Sequence, residues 1–374
     1  MGELRDLTEC LVSIPSHDDE TAAGDAIASW LREETDADVE RDDVGNVLAW
    51  RNPEADGDSL ALVGHHDVVP PDESQMEDGV ATESQRDGGG ETAAGDYVIF
   101  EDEGRLYGRG TADMKGAVAA MLLAFRDADP DGPLAFASFV GEELGGVGVQ
   151  QAIDEGFAPD YAVVGEGSTG YSAPGVLDVA VAHKGRRAST VTAAGEAAHA
   201  SEVESGKNAV YRACDAVDVL RDLDAPDADV LGQHLAGSLA VTEIEGGTAW
   251  NVIPESCEVT VDERAVPGER ADLERVEAVD GVSWTVDQDL PPMACDDPGF
   301  ADSVLDVVQT VQDGAGEHVA KPHATDAGWL AAAGTTCLIC GPAEPGEAHT
   351  ADESVSLDVL ARCRRVYADV AGAW

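Results

Sequence analysis

Basic side chains are scarce in this sequence of 374 residues. Only 22 lysines and arginines stand against 75 aspartates and glutamates, which gives a formal net charge of −53. This balance excludes a nucleic-acid partner, because such binding depends on the neutralisation of phosphates by Lys and Arg. The acidic residues are spread along the whole chain. That pattern favours a halophilic protein that works in molar salt over a local site for calcium or a basic partner.

Long apolar runs are also missing. No window approaches 18 consecutive apolar residues, which excludes a membrane-spanning helix. Residues 1–6 lack the basic and apolar segments of a secretory signal, so we expect a cytoplasmic protein. Hydrophobic residues still make up 43% of the chain, enough for the core of one large or two ordinary domains.

Cysteines are few and odd in number. Seven cysteines in a cytoplasmic chain predict no disulfide framework. Cys337 and Cys340 have the C-x-x-C spacing of redox and zinc sites, but no second pair with this spacing follows. They lie in an apolar run typical of a buried strand, and we interpret them as packed core thiols.

Strand-length apolar runs alternate with helical patterns up to about residue 165. This alternation predicts an α/β domain with a largely parallel central sheet flanked by helices. The predicted strands lie at 59–64, 133–140 and 161–164, and the predicted helices at 20–34, 114–126 and 147–155. We assign residues 1–176 to the first part of this domain.

The pattern changes in the middle of the chain. Residues 177–290 follow the order ββαββαβ, which predicts an inserted α+β domain. Residues 291–374 return to helix, strand and helix and complete the first domain. The polar stretch 71–96, which contains three consecutive glycines, is predicted to be a mobile surface loop.

Two short motifs follow predicted strands and carry side chains suited to metal chemistry. His65 and Asp67 are two residues apart, so on an extended backbone both point the same way. That arrangement suits a metal-bound imidazole that is oriented by a carboxylate. Glu142 and Glu143 end an apolar strand, where one carboxylate can bind metal while the other takes a proton from the attacking water. Taken alone, either motif could be ordinary surface chemistry.

Three further candidates are weaker singly. Asp113 lies in a glycine-rich turn before a helix, where a helix cap is the simpler interpretation. Glu166 follows a strand inside a literal G-x-G-x-x-G, but no helix comes next, which excludes a dinucleotide site. His349 lies in a loop before the last predicted helix.

In this order, the five segments resemble the dinuclear metallopeptidase and deacylase family. That family contains acetylornithine deacetylase, succinyl-diaminopimelate desuccinylase, aminoacylase, glutamate carboxypeptidase and hydrolases that act on a carrier-protein adduct in lysine biosynthesis. The resemblance covers nearly the whole chain. Gly167 departs from it, because the family commonly has proline at this position.

The resemblance implies two divalent metal ions, Zn²⁺ first and Co²⁺ or Mn²⁺ as alternatives. It implies one ion on His65, Asp113 and Glu166, and a second on Asp113, Glu143 and His349, with Asp113 bridging the two. Glu142 is then the general base, and Asp67 orients His65.

The inserted domain matches the lid and dimerisation domain of the family, which implies a homodimer. His199 is then the residue that stabilises the oxyanion, and in dimeric relatives this histidine reaches the neighbouring active site. Asn251 and Arg264 are implied substrate contacts, since a guanidinium binds a carboxylate bidentately. Thr325 and Asp326 are two more. For Arg264, a plain salt bridge is an equal alternative.

These features together predict a metal-dependent hydrolase that cleaves the amide bond of a small N-acylated amino acid or diamino acid. A carboxypeptidase or dipeptidase of the same family is the first alternative. A non-catalytic binding protein on the same fold is the second, and the presence of every implied ligand and of the base argues against it.

The charge of −53 predicts that folding depends on salt. Below roughly 0.5 M KCl, where screening weakens, repulsion among the acidic side chains should lower the melting temperature sharply. Thermal unfolding between 0.1 M and 3 M KCl measures this effect. A flat profile over that range would contradict the halophilic interpretation.

Overall fold

A computed structural model describes residues 2–76 and 97–374. The chain divides into two compact units. The first unit comprises Met1–Val181, Ala294–Val319 and Thr325–Trp374, and the second comprises Ala182–Met293 and Ala320–Ala324. Most of the loop predicted at 71–96 lies outside the described residues.

Helices are found mainly in the first unit. Within the described residues the α-helices are α1 (Gly2–Val12), α2 (Thr21–Glu34), α3 (Gly116–Asp127), α4 (Val147–Asp154), α5 (Ala209–Arg221), α6 (Pro298–Val311), α7 (Asp326–Ala332) and α8 (Leu357–Gly372). Over 2–76 and 97–374, no helix is at once long and apolar enough to cross a bilayer.

The strands follow the chain from end to end. They are β1 (Asp38–Arg41), β2 (Val47–Arg51), β3 (Leu60–His65), β4 (Phe100–Asp102), β5 (Arg105–Tyr107), β6 (Leu134–Phe139), β7 (Tyr161–Val164), β8 (Val179–His183), β9 (Arg186–Ala194), β10 (Ala198–His199), β11 (Asp227–Val230), β12 (Gln233–Ala236), β13 (Ser238–Gly246), β14 (Val252–Ile253), β15 (Ser256–Arg264), β16 (Val282–Leu290), β17 (Met293–Ala294), β18 (His318–Lys321), β19 (Thr336–Ile339) and β20 (Ser354–Ser356).

A large mixed sheet forms the centre of the first unit. Its order is β1-β2-β6-β3-β7-β19-β8-β17, and β18 pairs with β8. The central strands β6, β3, β7 and β19 are parallel to one another. Every residue of β3 and β6 is buried, as in parallel strands covered on both faces. The predicted α/β class is therefore confirmed, and Cys337 and Cys340 are buried free thiols as expected.

Helix α3 is buried from Gly116 to Phe125. A helix that is apolar on all sides belongs in the interior of a protein, and α3 packs against α1, α8 and β3. Its first turn is thus fixed by its surroundings on every side. The turn that leads into α3, which includes Asp113, is therefore also held in a defined position.

The second unit contains an antiparallel sheet in the order β13-β15-β9-β16. Alternate residues of β9 and β15 are buried, and α5 packs against both strands. The unit starts at Ala182, within β8, whereas the sequence predicted a start at 177. The difference arises because β8 pairs with β18 and β19 of the mixed sheet.

The second helix of the predicted order ββαββαβ is a short 3₁₀ helix, Leu273–Ala278. Its buried residues, Leu273 and Val276, are three apart, which matches the three-residue period of a 3₁₀ helix. The prediction of an α-helix was wrong here. The small pairs β11–β12 and β10–β14 had not been predicted from the sequence.

Candidate metal centre

The candidate ligands cluster at one edge of the parallel strands. His65 is the last residue of β3, Glu143 follows β6, and Glu166 follows β7. His349 lies in the loop that leaves β19. Open α/β sheets bind their ligands at the carboxyl ends of parallel strands, so the topology brings side chains from distant parts of the chain to one place.

His65, Asp113 and Glu166 form the first cluster. The Nε2 atom of His65 lies 3.1 Å from Oδ1 of Asp113 and 3.3 Å from Oε1 of Glu166. Its other ring nitrogen, Nδ1, lies 3.1 Å from the carbonyl oxygen of Asp67 and 3.3 Å from the Asp67 carboxylate. Both neighbours of Nδ1 are acceptors, so Nδ1 carries a hydrogen, and Nε2, which faces the carboxylates of Asp113 and Glu166, is the nitrogen that could bind a metal shared with them.

The adjacent histidine does not belong to this cluster. His66 Nδ1 lies 2.9 Å from the hydroxyl of Ser138, and burial lowers the pKa of His66 to about 3. Successive residues of an extended chain point to opposite sides, which explains why His65 and Asp67 share an environment that His66 lacks.

Asp113, Glu143 and His349 form the second cluster. The Nε2 atom of His349 lies 2.9 Å from Oε1 of Glu143 and 3.1 Å from Oδ2 of Asp113. Asp113 therefore directs one oxygen to each histidine, which is the arrangement expected of a bridging carboxylate. His349 has φ 62°, a left-handed conformation that is uncommon for a residue other than glycine.

A tight turn presents Asp113. Gly110 has φ 84°, and a Cβ atom at this position would lie 2.8 Å from Cγ1 of Val68. Glycine is therefore required both by the backbone conformation and by the space available. The peptide bond between Asp113 and Met114 is cis.

The carboxylates of the two clusters favour positive charge on the histidines between them. Hydrogen bonds to Asp113 and Glu143 raise the pKa of His349 to about 10. Burial opposes the charge on His65, but Asp113 and Asp67 outweigh it and hold the pKa of His65 well above its usual range. The carboxylates of the two clusters, Asp113, Glu143 and Glu166, lie close together in a largely buried environment. A divalent cation bound between them would offset their negative charge.

The spacing of the atoms fits this interpretation. Ligands about 2.1 Å from a tetrahedral ion lie roughly 3.4 Å apart. The nitrogen–oxygen separations of 2.9–3.3 Å in the two clusters are close to that value. Two imidazoles and three carboxylates are also a donor set that suits zinc and its neighbours among the transition metals.

Glu142 belongs to neither cluster, although it adjoins Glu143. Burial raises its pKa well above the usual range, and the charges of Asp326 and Glu166 add to the rise while His65 opposes it. The backbone N–H of Glu143 donates to the Asp67 carboxylate at 3.0 Å. Asp67 thereby links the His65 strand to the loop that carries both glutamates.

Thr325 and Asp326 begin α7 in the same unit. The hydroxyl of Thr325 caps this helix by accepting the N–H of Ala327. Asp326 is buried, and neither of its carboxylate oxygens has a hydrogen-bond partner among the described residues. Burial and nearby carboxylates raise the pKa of Asp326 to about 8.

The second unit holds the other predicted residues. His199 and Asn251 are neighbours, because β10 pairs with β14 and the N–H of Ala200 donates to the Asn251 carbonyl at 2.9 Å. Arg264 ends β15 and donates from Nε to Asp262 at 2.8 Å. The salt bridge considered for Arg264 is therefore present.

Two residues that support the site were not identified from the sequence. The indole N–H of Trp329 donates to the Gly145 carbonyl at 3.2 Å and joins α7 to the loop that carries Glu143. Glu353 accepts a hydrogen bond from the backbone of Asp113. No sequence pattern indicates a functional role for Trp329. The only indication for Glu353 is that an acidic residue stands directly before the buried strand β20, where it is itself buried.

Comparison with known proteins identifies the family. Residues 61–373 match the profile of peptidase family M20/M25/M40. The chain belongs to this family. It is therefore a hydrolase, and the two clusters fit a metallohydrolase.

The M20 relatives differ in the reactions after which they are named. The chain is 29% identical to an acetylornithine deacetylase of Myxococcus xanthus over 87% of this chain and 84% of the relative. It is 27% identical to a Mycobacterium tuberculosis protein assigned as succinyl-diaminopimelate desuccinylase DapE, over 95% and 94% of the two chains.

Solved structures show the same fold. The aminopeptidase PepT of Bacillus cereus superimposes with a TM-score of 0.76 at 19% identity, over 99% of this chain and 97% of that one. The YXEP protein of Bacillus subtilis, described as a dinuclear metal-binding peptidase of the M20 family, gives a TM-score of 0.70 at 14% identity over the same shares.

The two clusters predict about two divalent ions per chain. His349→Ala should keep about one ion, whereas Asp113→Ala should keep fewer because Asp113 serves both clusters. Glu142→Gln should keep both, since Glu142 belongs to neither. Elemental analysis after dialysis against salt measures the ratio. One ion or none in the wild type, or metal loss in Glu142→Gln, would contradict the assignment.

Proposed function

We propose that the chain is a two-metal hydrolase that cleaves the amide bond of an N-acylated amino acid or diamino acid. The observation that carries the proposal is the pair of clusters that share Asp113, with Glu142 beside them and in neither. Zn²⁺ is the proposed metal, with Co²⁺ or Mn²⁺ as alternatives. The bound ions would act as Lewis acids that polarise the scissile carbonyl and favour deprotonation of the attacking water.

Glu142 is the proposed general base. A carboxylate with a pKa raised by burial is a stronger base than one in water, and it can hold a proton between two steps. Glu142 would accept the proton of the attacking water and later deliver it to the leaving amine. Asp67 would keep His65 oriented through its Nδ1–H, so that Nε2 faces the metal position.

His199 is the proposed stabiliser of the oxyanion. The backbone N–H of Ser201 donates to Nδ1 of His199 at 3.2 Å. A ring nitrogen that accepts carries no hydrogen, so in the neutral ring the hydrogen is on Nε2. The exposed Nε2–H is then the donor available to a developing negative charge.

Substrate recognition is proposed for Asn251 and Arg264 in the second unit and for Thr325 and Asp326 in the first. Arg264 keeps part of its guanidinium exposed beside Asp262, since its side chain is 38% accessible. A guanidinium in this state can accept a substrate carboxylate, which every N-acyl amino acid carries. Asp326 offers two buried carboxylate oxygens for a donor group.

The relatives support deacylation, and the solved structures with this fold add a second candidate. Both of the sequence relatives described above are named for removing an acyl group from a diamino acid. The solved structures include an aminopeptidase and a carboxypeptidase. Both reactions cleave an amide, so the same catalytic groups serve either, and the alternative proposal is a carboxypeptidase or dipeptidase.

A substrate panel tests the proposed function. We expect turnover of acetylornithine, acetyllysine or succinyl-diaminopimelate to exceed that of dipeptides and of peptides with a free carboxyl terminus. Glu142→Gln should be slower by about 10²–10⁴-fold on the best substrate, because proton transfer is lost while the ligands remain. Preference for peptides would move the assignment to the alternative. An equally active Glu142→Gln would remove Glu142 as the base.

A homodimer with composite sites is also proposed. Strand β13 is one of the two edge strands of the sheet in the second unit, and Val241 and Ile244 on it are exposed. An exposed edge strand of nine residues is a surface that proteins usually cover. The proposed partner is a second copy of the chain, and His199 would then serve the partner's site.

Subunit exchange between two inactive variants tests this arrangement. In a mixed dimer of Glu142→Ala and His199→Ala, the chain that keeps Glu142 receives His199 from its partner. Random exchange makes roughly half of the dimers mixed, each with one complete site, so about a quarter of wild-type activity should return. If each His199 serves its own chain, no site is complete and mixing restores nothing.

A further inference from the structure

Glu353 lies four residues after His349 and is buried, with 1% of its surface exposed. Its Oε1 atom accepts three backbone hydrogen bonds, from Gly110 at 2.9 Å, Ala112 at 3.1 Å and Asp113 at 3.2 Å. Its Oε2 atom accepts from Nη1 of Arg109 at 2.5 Å. Four donors from one turn thus converge on one carboxylate.

The backbone around Glu353 joins the same two segments. The N–H of Gly108 donates to the Glu353 carbonyl at 3.0 Å. Directly beyond these contacts, β20 pairs with β5 in antiparallel register, with Ser354 opposite Tyr107. The turn that bears Asp113 and the loop that bears His349 are therefore joined by a continuous series of contacts. The series begins at the pairing of β5 with β20 and ends at the hydrogen bonds to the Glu353 carboxylate, beside the candidate metal position.

This connection matters because the two segments are far apart in the sequence. Asp113 and His349 must meet within 3.1 Å, although more than two hundred residues separate them. A buried carboxylate with this many donors has a single favourable position, since any displacement leaves a backbone N–H or the Arg109 guanidinium without a partner in a water-poor environment.

We propose that Glu353 is a positioning residue of the two-metal site, which fixes the backbone of Asp113 relative to His349. The inference rests on the proposed two-ion function, and Glu353 itself binds no metal. Carboxylates that orient metal ligands through hydrogen bonds typically change metal affinity by about 10–100-fold when they are removed.

Glu353→Gln is the decisive variant. The amide has one acceptor oxygen for the three backbone donors, and its NH₂ group then faces the guanidinium of Arg109, donor against donor. We expect zinc affinity, measured by competition with a chromophoric chelator, to fall about 10–100-fold at one or both positions. The absorption spectrum of the Co²⁺-loaded variant should also shift. Glu353→Asp, which keeps the carboxylate, should lose less affinity.

Glu263 provides a matched control in the second unit. It is also 1% exposed, and its carboxylate accepts from Arg187 Nε at 2.6 Å and from the backbone N–H of Ala271 at 2.8 Å. Glu263→Gln breaks a buried pair of the same chemistry. Its melting temperature should therefore fall as in Glu353→Gln, while its zinc affinity and Co²⁺ spectrum stay as in the wild type.

Several outcomes would overturn the inference. Wild-type affinity and spectrum in Glu353→Gln would do so, and so would an equal loss of affinity in Glu263→Gln, which would reduce the effect to general destabilisation. If Glu353→Gln does not fold, the Co²⁺ spectrum of Glu353→Asp decides: a shifted spectrum supports positioning and an unchanged one contradicts it. Fewer than two ions in the wild type would overturn the proposed function together with this inference.

Discussion

The candidate centre depends on the way in which Asp113 divides its two carboxylate oxygens between two histidines. Oδ1 lies 3.1 Å from His65 and Oδ2 lies 3.1 Å from His349, so a single side chain belongs to both clusters. Hydrogen bonds from both rings hold the pKa of Asp113 below its usual range even though burial opposes its charge. The rest of the fold supplies the conditions under which this arrangement is possible.

Those conditions begin with the parallel strands. Because β3, β6, β7 and β19 run in the same direction, their carboxyl ends meet at one edge, and the candidate ligands lie at the end of these strands or in the loops that follow them. Asp113 is the exception, since it comes from the turn before α3. The left-handed Gly110 and the buried first turn of α3 bring it to the same edge. Burial of α3 thus contributes to the site as well as to the core.

Sequence patterns predicted most of the long elements, but they did so unequally. Strand β7 and the start of α4 were predicted at their observed residues, because each coincides with a clear change in hydrophobic pattern. Strands β1 and β2 were missed. Strand β1 is largely charged and has no fully buried residue, and β2 does not alternate between apolar and polar residues. Strand β2 is held in place by pairing with β6, and β1 by pairing with β2. Such pairing depends on tertiary contacts, which a local pattern does not contain.

The site was predictable to the extent that its residues occur in recognisable segments. His65, Asp113, Glu143, Glu166 and His349 are brought together as the family resemblance implied. Glu353 was not predicted, because its importance lies in contacts with Gly110 and Asp113 that only the fold creates. An acidic residue in so acidic a chain carries little information by itself.

Adjacent identical residues show how environment assigns different roles. Glu143 directs its carboxylate to His349 at 2.9 Å, whereas Glu142 is in neither cluster and is surrounded by other carboxylates and buried surface. Burial raises the pKa of both, but a hydrogen bond to His349 opposes the rise at Glu143. The residue with the imidazole partner is suited to hold a cation, and the one without it is suited to hold a proton. Because the two side chains are chemically the same, this difference arises from the loop after β6, which Asp67 fixes through the backbone N–H of Glu143.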